Sequence, residues 1–91
     1  MITINLRDDE ALVLFEFLAR EINDKQEKRL GTVIDHPAEF WALNSLHGAL
    51  EKILVEPFAS NYEELVALAR QKVMARYDPE GSFAPIGGHR P

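Results

Sequence analysis

The segment Asp-Asp-Glu-Ala-Leu-Val-Leu-Phe-Glu-Phe-Leu at residues 8–18 decides the fold of this 91-residue chain. Its apolar side chains recur at spacings of three and four residues, which is the pattern of an α-helix with one buried face. The three carboxylates at its start suit a first helical turn, because acidic groups there meet the positive end of the helix dipole. The pattern predicts a first helix from Asp8 to Lys28. Its expected buried residues are Ala11, Leu14, Phe15, Leu18 and Ile22, flanked by Leu12 and Ala19.

Upstream of this helix, Ile-Thr-Ile-Asn-Leu at residues 2–6 alternates apolar and polar side chains and is rich in β-branched residues. This alternation predicts a short β-strand. So short a strand is not stable alone and needs a neighbour to pair with. Two neighbours are open: residues 32–34, Thr-Val-Ile, of the same chain, or the same strand of a second subunit.

Two further helices are predicted downstream from their start signals. Residues 35–37, Asp-His-Pro, combine a capping side chain with a proline, and they predict a helix over 37–55. Residues 60–63, Ser-Asn-Tyr-Glu, have the spacing of a capping box and predict a third helix that ends at Tyr77. The expected fold is mainly α, a compact three-helix bundle with a short N-terminal β-strand and with the first two helices antiparallel. It forms one domain over 1–78, followed by a flexible tail over 79–91.

Several residues lie off the expected core faces. Val13 and Phe17 point away from the buried face of the first helix, so either they pack beneath another element or they form an exposed contact strip. Trp41, the only tryptophan, lies with Asn44 and Gly48 nearly opposite the apolar face of the second helix. Glycine costs about 1 kcal/mol relative to alanine inside a helix. Either these small residues let another helix approach closely, or the domain's own helices cover both faces. We expect these five residues to bind a partner, since buried aromatic side chains dominate interface energetics.

Composition restricts the function. The chain carries 15 acidic and 10 basic residues, a net charge of −5, which opposes binding to nucleic-acid phosphates. It contains no cysteine, so disulfides and thiolate metal sites are excluded, and a reducing, cytoplasmic location is expected. Residues 1–7 lack the basic start and the apolar run of a signal peptide, so none is expected. The sequence contains no apolar stretch long enough to span a bilayer. The alternative of a dimeric DNA-associated regulator would depend on Arg70, Lys72 and Arg76 of the third helix.

No sequence motif for catalysis or for a cofactor is present, which predicts no enzyme, no cofactor and no metal. His47 and Glu51 have the spacing of two ligands on one helix face, but a third ligand is missing. Asp35, His36 and Glu39 converge at the start of the second helix, where capping is the expected role. A small enzyme with a site shared between subunits is the remaining alternative.

The segments 8–18 and 50–58, the second being Leu-Glu-Lys-Ile-Leu-Val-Glu-Pro-Phe, resemble small bacterial helical proteins of uncharacterised function. The resemblance covers about 60 residues, implies a bacterial or phage origin, and carries no function or site residues. The function is predicted from other features: the small size of the chain, the absence of catalytic motifs and the off-core apolar residues. Together they predict a non-catalytic protein–protein interaction module, such as an immunity protein, an antitoxin-like inhibitor or an accessory subunit. The small size of the chain favours self-association as a homodimer.

Overall fold

Helices form the regular structure of residues 1–24 and 28–83, which are the residues that the computed structural model describes. The first, α1 (Asp8–Ala19), begins where the backbone N–H of Arg7 donates to Oε1 of Glu10 at 3.1 Å. It continues into a π-helical turn, Arg20–Asp24. The predicted end of this helix at Lys28 follows residues 25–27, which lie outside the described residues.

Helix α2 (Pro37–Ile53) begins at the predicted proline. The His36 side chain caps it, because its Nδ1 accepts the backbone N–H of Ala38 at 3.0 Å. The helix ends at Ile53 rather than at residue 55, since Leu54 already has extended backbone angles (φ −77°, ψ 140°). A 3₁₀ turn, Glu56–Phe58, leads on towards helix α3 (Tyr62–Tyr77). The N-cap residue of α3 is Asn61, one residue after Ser60 of the predicted capping box, and its side chain makes no capping hydrogen bond.

Helix α1 is the common neighbour of the other two helices, whereas α2 and α3 approach each other much less. The hydroxyl of Tyr62, at the start of α3, donates to Oε1 of Glu16, late in α1, at 2.7 Å. Arg76, at the end of α3, binds Asp9, at the start of α1. Helices α1 and α3 are therefore antiparallel. The predicted antiparallel arrangement of α1 and α2 stays a prediction.

The buried core joins all three helices. Leu18 is completely inaccessible to solvent, at 0% exposure, and lies at its centre. The other buried apolar residues are Leu12, Phe15, Ile22, Leu30, Leu50, Leu54, Val66 and Ala69. The core also contains two polar side chains, Glu21 and His47. The mainly helical fold class is confirmed, with three α-helices in the described residues.

The predicted N-terminal strand is not seen in the described part of this single chain. Residues 1–7 form no strand, and residues 1–6 make no hydrogen bond within the described part of the chain. The physical reason is the lack of a partner. The candidate partner at residues 32–34 begins inside a 3₁₀ turn, Leu30–Thr32, whose backbone is already hydrogen-bonded locally.

The chain leaves α3 through a turn that Asp78 stabilises by accepting the backbone N–H groups of Ser82 and Phe83. Gly81 has a positive φ of 67°, which glycine adopts without strain. Residues 84–91 of the predicted tail lie outside the described residues.

Candidate protein-binding surface

Trp41 lies on the solvent side of α2 with 64% of its surface exposed. Trp41 contacts the ring of Phe40 in an edge-to-face arrangement, with ring centroids 5.0 Å apart and an interplanar angle of 83°. Phe40 is itself half-buried against the core. The indole is therefore anchored at one side and open to solvent on the other, which is the arrangement of an aromatic residue available to a partner.

Small residues continue the same strip of α2. Asn44 and Gly48 are half-buried, and Ser45 between them is exposed. A methyl group built at Gly48 would meet no atom within 4 Å, so nothing in the described fold requires glycine there. We call Trp41, Asn44, Ser45 and Gly48 the Trp41 strip. In the described part of the chain, Trp41 and Ser45 of this strip are exposed and Asn44 and Gly48 are partly covered.

The two predicted residues of α1 have different environments. Val13 is half-buried and packs against the core, whereas Phe17 is 42% exposed. The guanidinium of Arg20 lies over the Phe17 ring, 5.5 Å from its centroid. Arg20 is also held by Glu16 at 3.8 Å and by Glu21 at 3.3 Å. Phe17 therefore presents one ring face to a fixed cation, and its remaining exposed surface is available for contact.

The predicted site residues form two groups. Trp41, Asn44 and Gly48 share one strip of α2, and Val13 and Phe17 lie one turn apart on α1. No hydrogen bond or ring contact within the described residues joins the two groups.

An exposed apolar segment that the sequence interpretation missed follows α2. Ile53 and Val55 are each 75% exposed, and Phe58 is 81% exposed. The spacing of Ile53 from Leu50 fits a buried helix face, yet its side chain is exposed at the last residue of α2. The available sequence signal was Pro57, which disfavours helical backbone in the residue before it and lies in the following 3₁₀ turn.

An open groove between the start of α1 and the side of α3 was also not predicted. Its apolar floor includes Leu12, Leu65 and Leu68, and its rim is charged. The full lining is Arg7, Asp8, Asp9, Leu12, Glu56, Leu65, Leu68, Ala69, Lys72 and Arg76. No sequence signal identifies this groove, because it forms only when two helices distant in the chain pack together.

Charged groups close one end of this groove. The hydrogen bond from Arg76 holds the pKa of Asp9 below its usual range, and the same bond raises the pKa of Arg76. The hydroxyl of Tyr77 donates to Glu10, which lowers the pKa of that carboxyl, and the backbone N–H of Arg7 adds to the effect. Arg76 is thus engaged within the chain. One of the three cations on which the DNA-binding alternative depends is already paired with acidic side chains.

Glu21 is a buried carboxylate in the π-helical turn, with 5% of its surface exposed. Burial acts to raise its pKa, but the hydrogen bonds from Arg29 and Arg20 outweigh burial and the pKa is lowered. These contacts join the turn to the segment that leads into the 3₁₀ turn at Leu30. Glu21 therefore has a structural role that the sequence did not indicate.

His47, which the sequence offers as one of two possible ligands on a helix face, lies inside the core with 7% of its surface exposed. Its ring stacks on Phe15 with centroids 5.0 Å apart and an interplanar angle of 17°. Its Nε2 is buried and has no hydrogen-bond partner in the described residues. Its predicted companion Glu51 is exposed. In residues 1–24 and 28–83, no group of three or more potential ligands could hold a metal ion.

The charged residues before α2 act as capping groups. Glu39 accepts the backbone N–H of Asp35 at 2.8 Å, and His36 accepts that of Ala38. This is the capping role expected of these residues from the sequence.

Comparison of the chain with protein-family models, with curated proteins and with solved structures gives no match. Within the described ranges, none of the helices combines the length and apolar character that a membrane crossing requires.

Proposed function

We propose that the protein is a non-catalytic protein–protein interaction module whose main contact surface is the Trp41 strip, with Phe17 as a second anchor. The observation that carries this proposal is the 64% exposure of Trp41 beside a glycine whose missing side chain leaves open space. An exposed tryptophan is costly to leave in water and is among the residues that most often supply binding energy. The small residues beside it would let a partner helix approach the α2 backbone closely.

The class of protein follows the sequence-based expectation: a bacterial or phage immunity protein, antitoxin-like inhibitor or accessory subunit that acts in the cytoplasm and self-associates. The chain has no catalytic or cofactor motif. Its acidic net charge of −5 favours a protein partner over nucleic acid.

The proposal is tested by affinity capture from the native host with three baits: the wild-type chain, Trp41→Ala and Ile53→Ala. Ile53 is the matched control because it lies on the same helix, is apolar and is 75% exposed, but is outside the Trp41 strip. We expect one protein to be retained by the wild type and by Ile53→Ala and to be lost with Trp41→Ala. Capture that is equal with all three baits would contradict the assignment of the strip.

The captured protein is then purified, and its dissociation constant is measured by calorimetry against the same variants and against Phe17→Ala. Truncation of an interface anchor costs more than about 1 kcal/mol, which is about a fivefold weaker affinity. Circular dichroism of each variant shows that the helices remain folded. A Phe17→Ala variant with wild-type affinity would remove Phe17 from the site and leave Trp41 as the anchor.

A further inference from the structure

The N-terminal arm, residues 2–6, has exposed apolar side chains and a backbone that makes no hydrogen bond to the described residues. Ile2 is 87% exposed, Ile4 is 74% exposed and Leu6 is 44% exposed. No backbone N–H or C=O of residues 1–6 is hydrogen-bonded within the described part of the chain. Arg7, where the arm joins α1, already has extended backbone angles (φ −71°, ψ 154°).

The arm lacks the features that keep exposed strands apart. Natural proteins protect unpaired strands with charged residues or with proline. Residues 2–6 contain neither a charged residue nor a proline. They alternate β-branched or aliphatic residues with Thr3 and Asn5, which is a sequence suited to a paired strand.

The alternation is also self-complementary. If two arms run antiparallel with Ile4 opposite Ile4, then Ile2 lies opposite Leu6 and Thr3 lies opposite Asn5. Alternate side chains of a strand point to the same face. All the apolar side chains of both arms then occupy one face of the ribbon, and all the polar side chains occupy the other.

On the premise of self-association in the proposed function, we infer that the arm is an intermolecular β-strand, paired antiparallel with the arm of a second copy of this chain. The pairing gives hydrogen-bond partners to backbone groups of the arm that have none among the described residues. It is a two-fold symmetric contact, the commonest symmetry among homo-oligomers.

The groove at the base of the arm supplies the rest of the interface. A specific interface buries roughly 800 Å² on each partner, which is more than a two-stranded ribbon of this length provides. Two-stranded ribbons also need to pack against a helix to be stable. We place the rest of the interface at the groove between α1 and α3, because Arg7 and Asp8, which directly follow the arm, line it together with Leu68. In the antiparallel pairing, Ile2 of the second copy lies opposite Leu6, next to Arg7 of the groove lining.

The central pair provides the first test. Sedimentation velocity is measured over a range of concentrations for the wild type, Ile4→Asp, Ile4→Lys and an equimolar mixture of the two variants. The wild type is expected to dimerise. Each variant alone is expected to be monomeric, because like charges face each other at the symmetry axis. The mixture is expected to form a dimer again through opposite charges.

Cysteine substitution tests the register of the strands, since the chain has no cysteine of its own. Directly opposed residues in an antiparallel pair have Cα atoms about 4.5–5.5 Å apart, within reach of a disulfide. Ile4→Cys is therefore expected to form a disulfide-linked dimer under mild oxidation. Thr3→Cys alone is the control and is expected to cross-link poorly, but a mixture of Thr3→Cys with Asn5→Cys is expected to link efficiently.

The groove is tested with Leu68→Gln against Met74→Gln. Both residues are on α3 with similar exposure, 48% and 41%, but only Leu68 lines the groove. Leu68→Gln is expected to weaken dimerisation about fivefold or more, and Met74→Gln is expected to leave it unchanged.

The outcomes separate the two proposals. A wild type that stays monomeric at every concentration, with the arm folded onto its own chain or free, would overturn both self-association and the role of the arm. A dimer that persists in Ile4→Asp and Ile4→Lys would overturn only the role of the arm. Loss of the dimer in Trp41→Ala with the arm intact would likewise move the self-association to the Trp41 strip.

Discussion

Arg76 and Asp9 form a two-pronged ion pair that joins the last turn of α3 to the first turn of α1. Nη2 of Arg76 lies 2.8 Å from Oδ2 of Asp9, and Nη1 lies 3.1 Å from Oδ1. Nη1 also lies 3.4 Å from Oε2 of Glu10, and the same oxygen accepts a hydrogen bond from the hydroxyl of Tyr77. Acidic groups at the N-terminus of α1 are thus bound to a cation at the C-terminus of α3, which favours both helix dipoles and fixes the antiparallel pairing.

The bonds that ionised carboxylates make in the folded chain predict a loss of stability in acid. The pKa values of Asp9, Glu10 and Glu21 are all lowered in the folded chain from usual values of 3.8 for Asp and 4.5 for Glu. A lowered pKa means that the folded state favours the ionised carboxylate, so the stabilisation is fully present above the usual value. It is lost as the pH falls through the lowered value. We expect the free energy of unfolding in urea to be level near neutrality and to fall below about pH 4.5.

The matched variants for this acid series are Arg76→Gln and Arg70→Gln. Arg76→Gln removes the group that lowers the pKa of Asp9, so its stability is expected to depend less steeply on pH. Arg70 is an exposed arginine of the same helix that makes no ion pair in the described residues, and its variant should follow the wild type. Equal slopes for wild type and Arg76→Gln would show that the ion pair does not contribute.

Glu21 is predicted to stabilise the fold through its charge. Its carboxylate is buried and accepts hydrogen bonds from Arg20 and Arg29. Glu21→Gln keeps the shape but removes the charge, and hydrogen bonds to charged groups contribute about 1.5–3 kcal/mol. Because Arg29 is largely exposed, we expect a loss near the lower end, about 1–2 kcal/mol, by urea denaturation.

The control for Glu21 is Glu63→Gln, at an exposed position in the first turn of α3. This substitution should change the free energy of unfolding by less than about 0.5 kcal/mol. If Glu21→Gln were equally neutral, the charge of this buried carboxylate would have no net effect on stability.

Gly48 gives a prediction in which stability and binding change in opposite directions. The position of its missing Cβ has no neighbour within 4 Å, so Gly48→Ala adds no clash and improves helix propensity. We expect the free energy of unfolding to rise by about 0.5–1 kcal/mol. Affinity for the captured partner is expected to fall, because the added methyl group fills the space where the partner helix would approach.

The reverse exchange at an exposed position of α2, Ala49→Gly, is the control. It should lower stability by about 1 kcal/mol and leave partner affinity unchanged. A Gly48→Ala variant that binds as tightly as the wild type would show that the partner does not approach α2 at this glycine.

The helices could be predicted from the sequence because their signals are local. The spacing around Leu18 identified α1 and its buried face, and Pro37 marked the start of α2.

The arm at 2–6 shows the limit of local reasoning. Its alternation predicted a strand, but a strand requires a partner, and residues 32–34, the candidate within the same chain, begin in a 3₁₀ turn.

Other features depend on how distant segments meet. The groove between α1 and α3 and the burial of Glu21 arise from contacts with residues far along the chain, such as Arg76 and Arg29. Ile53 illustrates the converse, since its helical spacing fits the core but its side chain is 75% exposed at the last residue of α2. The exposure of Trp41 could be predicted from the sequence, because this residue lies opposite the apolar face of its own helix.

His47 is predicted to reduce the stability of the core. Its Nε2 is buried without a partner in the described residues, and an unsatisfied buried polar group costs about 1–3 kcal/mol. His47→Phe removes that atom and keeps a flat ring against Phe15. Because the larger ring introduces some crowding, we expect a net rise of about 1 kcal/mol in the free energy of unfolding, measured by urea denaturation at neutral pH.

His36→Phe is the contrasting variant, since loss of the α2 cap should cost about 0.5–2 kcal/mol. A clear fall in stability for His47→Phe would show that the imidazole has a bonding role that a phenyl ring cannot replace.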